Sequence, residues 1–187
     1  MGETVTRPLS PALLIAFAQA HVDDATADPA DGSAVSLIDS SAAFVHHAGY
    51  WSHFDHRPGT SVWPLPCTGS CTELADFAAE AGILMADAPE AGDIYLLWSP
   101  AKKRFARAGI VVGRVRPVGF PSGRTGYECL TIDACTTHSG SIRGPHTAVI
   151  QRVLSADAND RVIRWPMLES IPYGLANSSA STRPKAA

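Results

Sequence analysis

Residues 66–82 read Pro66-Cys67-Thr68-Gly69-Ser70-Cys71-Thr72-Glu73-Leu74-Ala75-Asp76-Phe77-Ala78-Ala79-Glu80-Ala81-Gly82. A loop containing glycine and serine hands over to a helix, in which Leu74, Phe77, Ala78 and Ala81 recur at i, i+3, i+4 and i+7. Gly82 stops that helix, because glycine accepts the left-handed conformation that closes one. Cys71 falls in the first turn. There the unpaired backbone N–H groups and the positive end of the macrodipole favour a thiolate. A thiolate so placed is the usual beginning of a cysteine nucleophile. The competing reading is a buried structural cysteine, since free cysteine is among the residue types most often found inside.

Towards the N-terminus, Ser10 and Pro11 fit the N-cap and first position of a helix over about 10–21. Leu13 to Phe17 followed by Ala18-Gln19-Ala20 has the outline of a secretory h-region and cleavage site. The balanced charge of residues 1–7 and the two prolines favour a helix of the mature fold instead. A soft stretch over 23–33 leads to a second helical segment over about 34–48, with Val35, Leu37, Ile38, Ala42, Phe44 and Val45 apolar. A loop rich in aromatic residues and histidine follows over 49–66. Beyond Gly82 the pattern turns to strands, over about 93–98, 108–115, 127–133, 148–154 and 161–165. In the third of these, Glu128, Leu130 and Ile132 face one way, and Tyr127, Cys129, Thr131 and Asp133 the other. Helices first and strands afterwards predict an α+β fold, with N-terminal helices packed on a mostly antiparallel sheet of five or six strands.

A chain of 187 residues is about one domain. It is expected over 1–175, with a polar, disordered tail over 176–187. A net charge of −3 gives no basic footprint for nucleic acid or an anionic membrane surface. No apolar run reaches the roughly 18 residues of a membrane span. The four cysteines fall as C-x3-C (Cys67, Cys71) and C-x5-C (Cys129, Cys135), which is not the usual zinc spacing, so free thiols and no metal are expected. Nothing in the sequence speaks to oligomeric state or localisation.

Four blocks stand in order. Cys71 opens a helix ending in Ala81-Gly82-Ile83. Pro89-Glu90-Ala91-Gly92-Asp93-Ile94 opens a strand. Ala108-Gly109-Ile110-Val111-Val112 follows. Last come Thr131-Ile132-Asp133, Gly140-Ser141-Ile142-Arg143-Gly144 and Val149 to Arg152. Together, over about residues 60–166, they resemble the CHAP family of cysteine amidohydrolases and peptidases, related to the NlpC-type enzymes, and most of all its subgroup in phage lysins and bacterial cell-wall proteins. The resemblance implies a papain-like fold. It also implies attack of a thiolate on an amide carbonyl, a thioester acyl-enzyme and its hydrolysis, with no cofactor. The implied partner is a stem peptide or cross-bridge of peptidoglycan.

By position, Cys71 matches the nucleophile, and Asp133 matches the acidic residue that orients the base. Cys135 stands where the family usually has Asn. The family's base, a histidine two residues before the strand glycine, is replaced by Arg107. Arginine stays protonated at any physiological pH. It can pair with a thiolate but cannot take a proton from a thiol or return one to a leaving amine. The chain is then a scaffold that binds without cleaving, or another histidine supplies the base, or the strand is offset from the family's register. His138, in the loop after Asp133, is the nearest substitute in sequence, against its plainer reading as an exposed loop residue. In a papain-like fold the segment before the nucleophile lines the cleft. That makes Tyr50, Trp51, His53, His56 and Trp63 candidates for substrate contact, against packing of the aromatics under a loop. Asp93 is expected to shape its turn, Glu73 to complement the helix dipole, and Lys102, Lys103 and Arg104 to form a solvated hairpin tip. The leading expectation is a cysteine hydrolase of CHAP type acting on cell-wall peptide amides, with Cys71 as nucleophile and Asp133 as orienter. A catalytically silent binding or assembly module on the same scaffold is the runner-up, and a redox role pairing Cys67 with Cys71 is a third and weaker option.

Overall fold

Ser10 begins the first helix, as its residue type dictates. The computed structural model describes residues 10–22, 41–53, 64–136 and 146–164. Ser10 has extended backbone and its side chain accepts from the Leu13 N–H, with proline in the first turn of α1, Pro11–Ala20. Helix α2 runs Ser41–His53. The part of the expected second helix before residue 41 lies outside the described residues. At its other end the expectation is corrected, because residues 49–53 continue the helix instead of opening a loop. Ring pairs four residues apart account for this: His46 lies against Tyr50 and His47 against Trp51, each pair with centroids 6.1 Å apart.

Helix α3, Cys71–Glu80, buries Cys71, Leu74, Ala75, Phe77 and Ala78 along one face. It closes as a Schellman motif: Gly82, at φ +69°, donates to the Ala79 carbonyl, and Ile83 donates to that of Ala78.

Six strands follow: β1, Leu84–Met85; β2, Ile94–Ser99; β3, Arg104–Gly119; β4, Thr125–Thr136; β5, His146–Leu154; and β6, Arg161–Ile163. They form one sheet in the order β1-β6-β2-β3-β4-β5, with every pairing antiparallel. The class is thus α+β, three helices and a six-stranded antiparallel sheet among the described residues. β1 was not anticipated, and β3 and β4 run longer than their apolar cores suggest. The distal half of β3 is largely exposed, and its pairing with β4 shifts register around Gly113.

The period of two sorts the sheet's residues. Ile94, Leu96, Ala108, Ile110, Ile132, Ala134 and Ile163 pack in one cluster with Leu14 and Ala18 of α1, Phe44 and Val45 of α2, and Leu74 and Ala78 of α3. Tyr95, Val111, Cys129, Leu154 and Val162 form a second cluster from the alternate positions. The alternation expected for β4 therefore holds: Ile132 joins the helices and Cys129 the other side. Asp93 shapes its turn, as anticipated. Its carboxylate accepts from the Glu90 N–H at 2.8 Å and pairs with Arg164 at 3.3 Å.

Gly109 sits where the sheet allows no side chain. A Cβ there would lie 2.5 Å from Tyr95 Cε1 and 2.8 Å from both Asp133 Oδ1 and the Ile132 carbonyl oxygen. Two of those neighbours are a carboxylate and a backbone oxygen, which have little room to give. Gly109→Ala is accordingly expected to cost about 1–3 kcal/mol through overpacking. Chemical denaturation would register this as a lower midpoint; an unchanged midpoint would refute the close approach.

Candidate functional site

The site is built where the start of α3 meets the starts of α2 and β3. Ser70 caps α3, accepting from the Glu73 N–H, and its own N–H donates to Thr68 Oγ1. The Thr68 hydroxyl in turn donates to the Glu73 carboxylate at 2.6 Å. These bonds tie the loop to the first turn and fix where Cys71 stands. They also give Glu73 a capping partner, beyond the dipole role expected of it.

Cys71 is buried, 8% exposed, with its sulfur 3.6 Å from the Ser41 hydroxyl. Ser41 Oγ accepts from the Ala108 N–H at 3.1 Å, so this one side chain joins α2, α3 and β3 at the site. Burial pushes the Cys71 thiol above the ordinary cysteine value. The Ser41 hydrogen bond and the Arg107 and Arg104 guanidinium groups pull it back only in part. The expectation of a ready thiolate is therefore corrected. The helix terminus is present, but removal from water outweighs it, because low dielectric disfavours the charged form.

Arg107 is 3% exposed and Asp133 fully buried. Arg107 Nη1 donates to Asp133 Oδ2 at 3.2 Å. The same oxygen accepts from Arg152 Nε at 2.7 Å and from Arg152 Nη2. Oδ1 takes the Thr131 hydroxyl at 2.9 Å. Arg152 Nε also lies 3.0 Å from the Tyr95 hydroxyl, and its guanidinium stands over the Tyr95 ring. Burial raises Tyr95 well above the ordinary phenol value, so the hydroxyl stays protonated. Asp133 is thus gripped by two guanidinium groups. The β-register explains how residues distant in sequence meet: Asp133 pairs with Ala148, and Cys129 with Arg152.

A groove of about 320 Å³ opens beside Cys71 and touches Arg107 alone of this cluster. Cys71, Ser70, Thr72, Lys102, Arg104 and Arg107 contribute polar or reactive groups to its lining, beside Ser41, Gly69, Phe105 and Ala106. Neither imidazole nor carboxylate is among these lining residues. Lys102 and Arg104 form the solvated hairpin tip expected of them and also line the groove of the cysteine. The short turn between β2 and β3 returns the chain beside the start of α3.

Two candidate residues, Cys71 and Arg107, therefore share the groove, and Asp133 pairs with Arg107 without lining it. Trp51 does not join them. It is 45% exposed and lies some three turns along α2 from Ser41, about 15 Å away at the helical rise. His53 is the last residue of α2, at the same far end. His56, Trp63 and His138 lie outside the described residues. His21, His46 and His47 gather with Phe17, Tyr50 and Trp51 where α1 meets α2, and none of them lines the groove. Burial holds His46 and His47 below the ordinary imidazole value. Cys67 is an exposed free thiol; Cys129 is free and buried, and burial pushes it up to about 11.

Sequence reasoning missed Ser41, Tyr95 and Arg152. Arg152 alone had a signal, since the alternation of β4 and β5 sets it on Asp133's side of the sheet once the register is known. Among the described residues no group of three or more His, Cys, Asp or Glu is placed to hold a metal ion, and no helix is long and apolar enough to cross a membrane. No protein-family model, curated protein or solved structure matches the chain.

Proposed function

We propose that this chain is a papain-like scaffold of CHAP type that binds cell-wall peptide without hydrolysing it. The observation that carries the reading is that Arg107, which the sequence resemblance aligns with the family's base, lines the Cys71 groove and is held by Asp133. Cleaving an amide through cysteine requires two proton movements. The thiol must lose its proton as sulfur bonds to the carbonyl carbon, and the departing nitrogen must gain one as the C–N bond breaks. A guanidinium does neither at physiological pH. Absence of a positioned acid–base group costs on the order of 10²–10⁴-fold in rate. Burial of the thiol adds to the deficit by keeping sulfur protonated.

What remains is a recess beside a helix start, rich in donors and positive charge. A papain-like arrangement is supported by the cysteine at the head of a helix packed on an antiparallel sheet, and by the ordered Cys71, Arg107 and Asp133 positions.

The test uses purified peptidoglycan sacculi. The chain is expected to sediment with them, while no soluble peptide or new amino group is released above the buffer control. Release that disappears in Cys71→Ala would overturn the reading in favour of a hydrolase. Failure to sediment would overturn the binding claim.

A further inference from the structure

We infer that the Cys71 groove recognises the free carboxylate of a peptide, with Lys102 and Arg104 as its principal contacts. The inference rests on the peptide-binding reading above and names the chemical handle. Three of the groove's lining residues carry positive charge, and none of its described lining residues carries negative charge. This runs against the whole chain, whose net charge is −3.

The neighbouring acids are already engaged. Asp133 is buried behind Arg107 and receives Arg107 and Arg152. Glu73, outside the lining, accepts the Thr68 hydroxyl. Lys102 and Arg104 are exposed at the groove's edge, and neither has a carboxylate partner among the described residues.

Geometry favours a carboxylate at the end of a chain over an internal side-chain acid. The recess stops at buried groups, Cys71 and Arg107, and its walls are small or apolar at Gly69, Ala106 and Phe105. A peptide terminus can enter with its carboxylate leading toward the Arg107 end of the recess, flanked by Lys102 and Arg104 from the rim, and its last side chain against Phe105. The Arg107 guanidinium, anchored by Asp133, adds positive potential at the floor without having to leave its partner. Fork-shaped guanidinium recognition by Arg104 suits a planar carboxylate. The ammonium of Lys102 adds a point charge. Both contacts are partly solvated, so added salt weakens them.

The experiment titrates the full chain with N-acetyl-alanyl-alanine and, separately, with its C-terminal amide, by calorimetry or ligand-observed NMR. The acid is expected to bind at least 10-fold more tightly than the amide, with the preference shrinking as salt is raised. The double substitution Lys102→Gln with Arg104→Gln is expected to abolish the preference while circular dichroism stays unchanged, since both side chains are exposed. Equal binding of acid and amide would overturn the inference, as would an undiminished preference in the double variant or binding of neither peptide. Sacculus sedimentation run in parallel separates the two proposals. Sedimentation without a preference for the acid leaves the cell-wall reading standing and removes this one. A preference for the acid without sedimentation does the reverse.

Discussion

Replacing Asp133 with alanine is expected to destabilise the protein by about 3–5 kcal/mol, the range for removing one partner of a buried ion pair. The carboxylate is fully buried and receives Arg107, Arg152 and the Thr131 hydroxyl. Without it, two guanidinium groups face one another in a region of low dielectric, and each loses a charge-assisted hydrogen bond. The loss comes mainly from the abandoned cations and only in small part from the missing side-chain volume. For a chain of this size each kcal/mol moves the melting temperature by roughly 2–4 °C, so a fall of about 6–20 °C is expected. Asp133→Asn separates charge from shape. It keeps the volume and one acceptor, and is expected to lose most of the same stability. Adding Arg152→Met to Asp133→Asn removes one of the stranded charges and is expected to restore part of the loss. That non-additivity marks an interacting cluster. A fall of under 1 kcal/mol for Asp133→Ala would mean that the cluster contributes nothing to the fold.

The same cluster shows what could and could not be read from the sequence. Local signals were legible. Ser10 and Pro11 start α1 where their residue types place it, and Gly82 ends α3 in the left-handed conformation. The alternation in β4 separates Ile132 from Cys129 and Asp133 as its period demands. Of the residues singled out by chain position, Cys71 and Arg107 line one groove, and Arg107 pairs with Asp133. What was not legible depends on tertiary register. Arg152 reaches Asp133 only because β5 pairs with β4 in one particular alignment, and a shift of one residue would send it to the other face. Ser41 reaches Cys71 across 30 residues of chain through helix packing, which leaves no periodic trace. The end of α2 departs from its composition for a different reason. Gly49 and the aromatics after it have loop-like composition, yet the rings pair with His46 and His47 one turn back and sustain the helix. Lys102 and Arg104 have the composition of a solvated tip and are indeed exposed. Their position beside Cys71 follows from where the β2–β3 turn lands.

The second large effect concerns the thiol. A cysteine nucleophile activated by a base is substantially ionised near neutral pH and reacts accordingly fast. Cys71 is expected to behave in the opposite way. Its ionisation is opposed first by burial, and the Ser41 hydrogen bond and the nearby guanidinium groups offset that only in part. The sign follows from the raised value. In the folded state the thiol stays protonated through the pH range in which an ordinary cysteine ionises, at about 8.5. In the unfolded chain it ionises there. The contribution of this group to stability is therefore present in full below that value. It is lost as the pH rises through the folded-state value. At pH 7 the reactive fraction is small and the sulfur is 8% exposed, whereas Cys67 is an exposed thiol four residues earlier in the chain. Alkylation of Cys71 at pH 7 is expected to run at least about 10-fold slower than that of Cys67, because only the thiolate reacts. Cys129, buried and pushed up to about 11, is expected to be slower still.

The central proposal is that, among the described residues, neither imidazole nor carboxylate shares the groove with Cys71, so that its sulfur rests as a protonated thiol. The most direct measurement is the rate of iodoacetamide modification of Cys71 in the intact folded chain from pH 5 to 10, read peptide by peptide by mass spectrometry with Cys67 as the internal reference. The account requires a Cys71 rate that stays below that of Cys67 at neutral pH and climbs with an inflection above the ordinary cysteine value. A Cys71 rate that exceeds that of Cys67 at pH 7, with an inflection at or below neutrality, would contradict it and show that a base in this fold activates the sulfur.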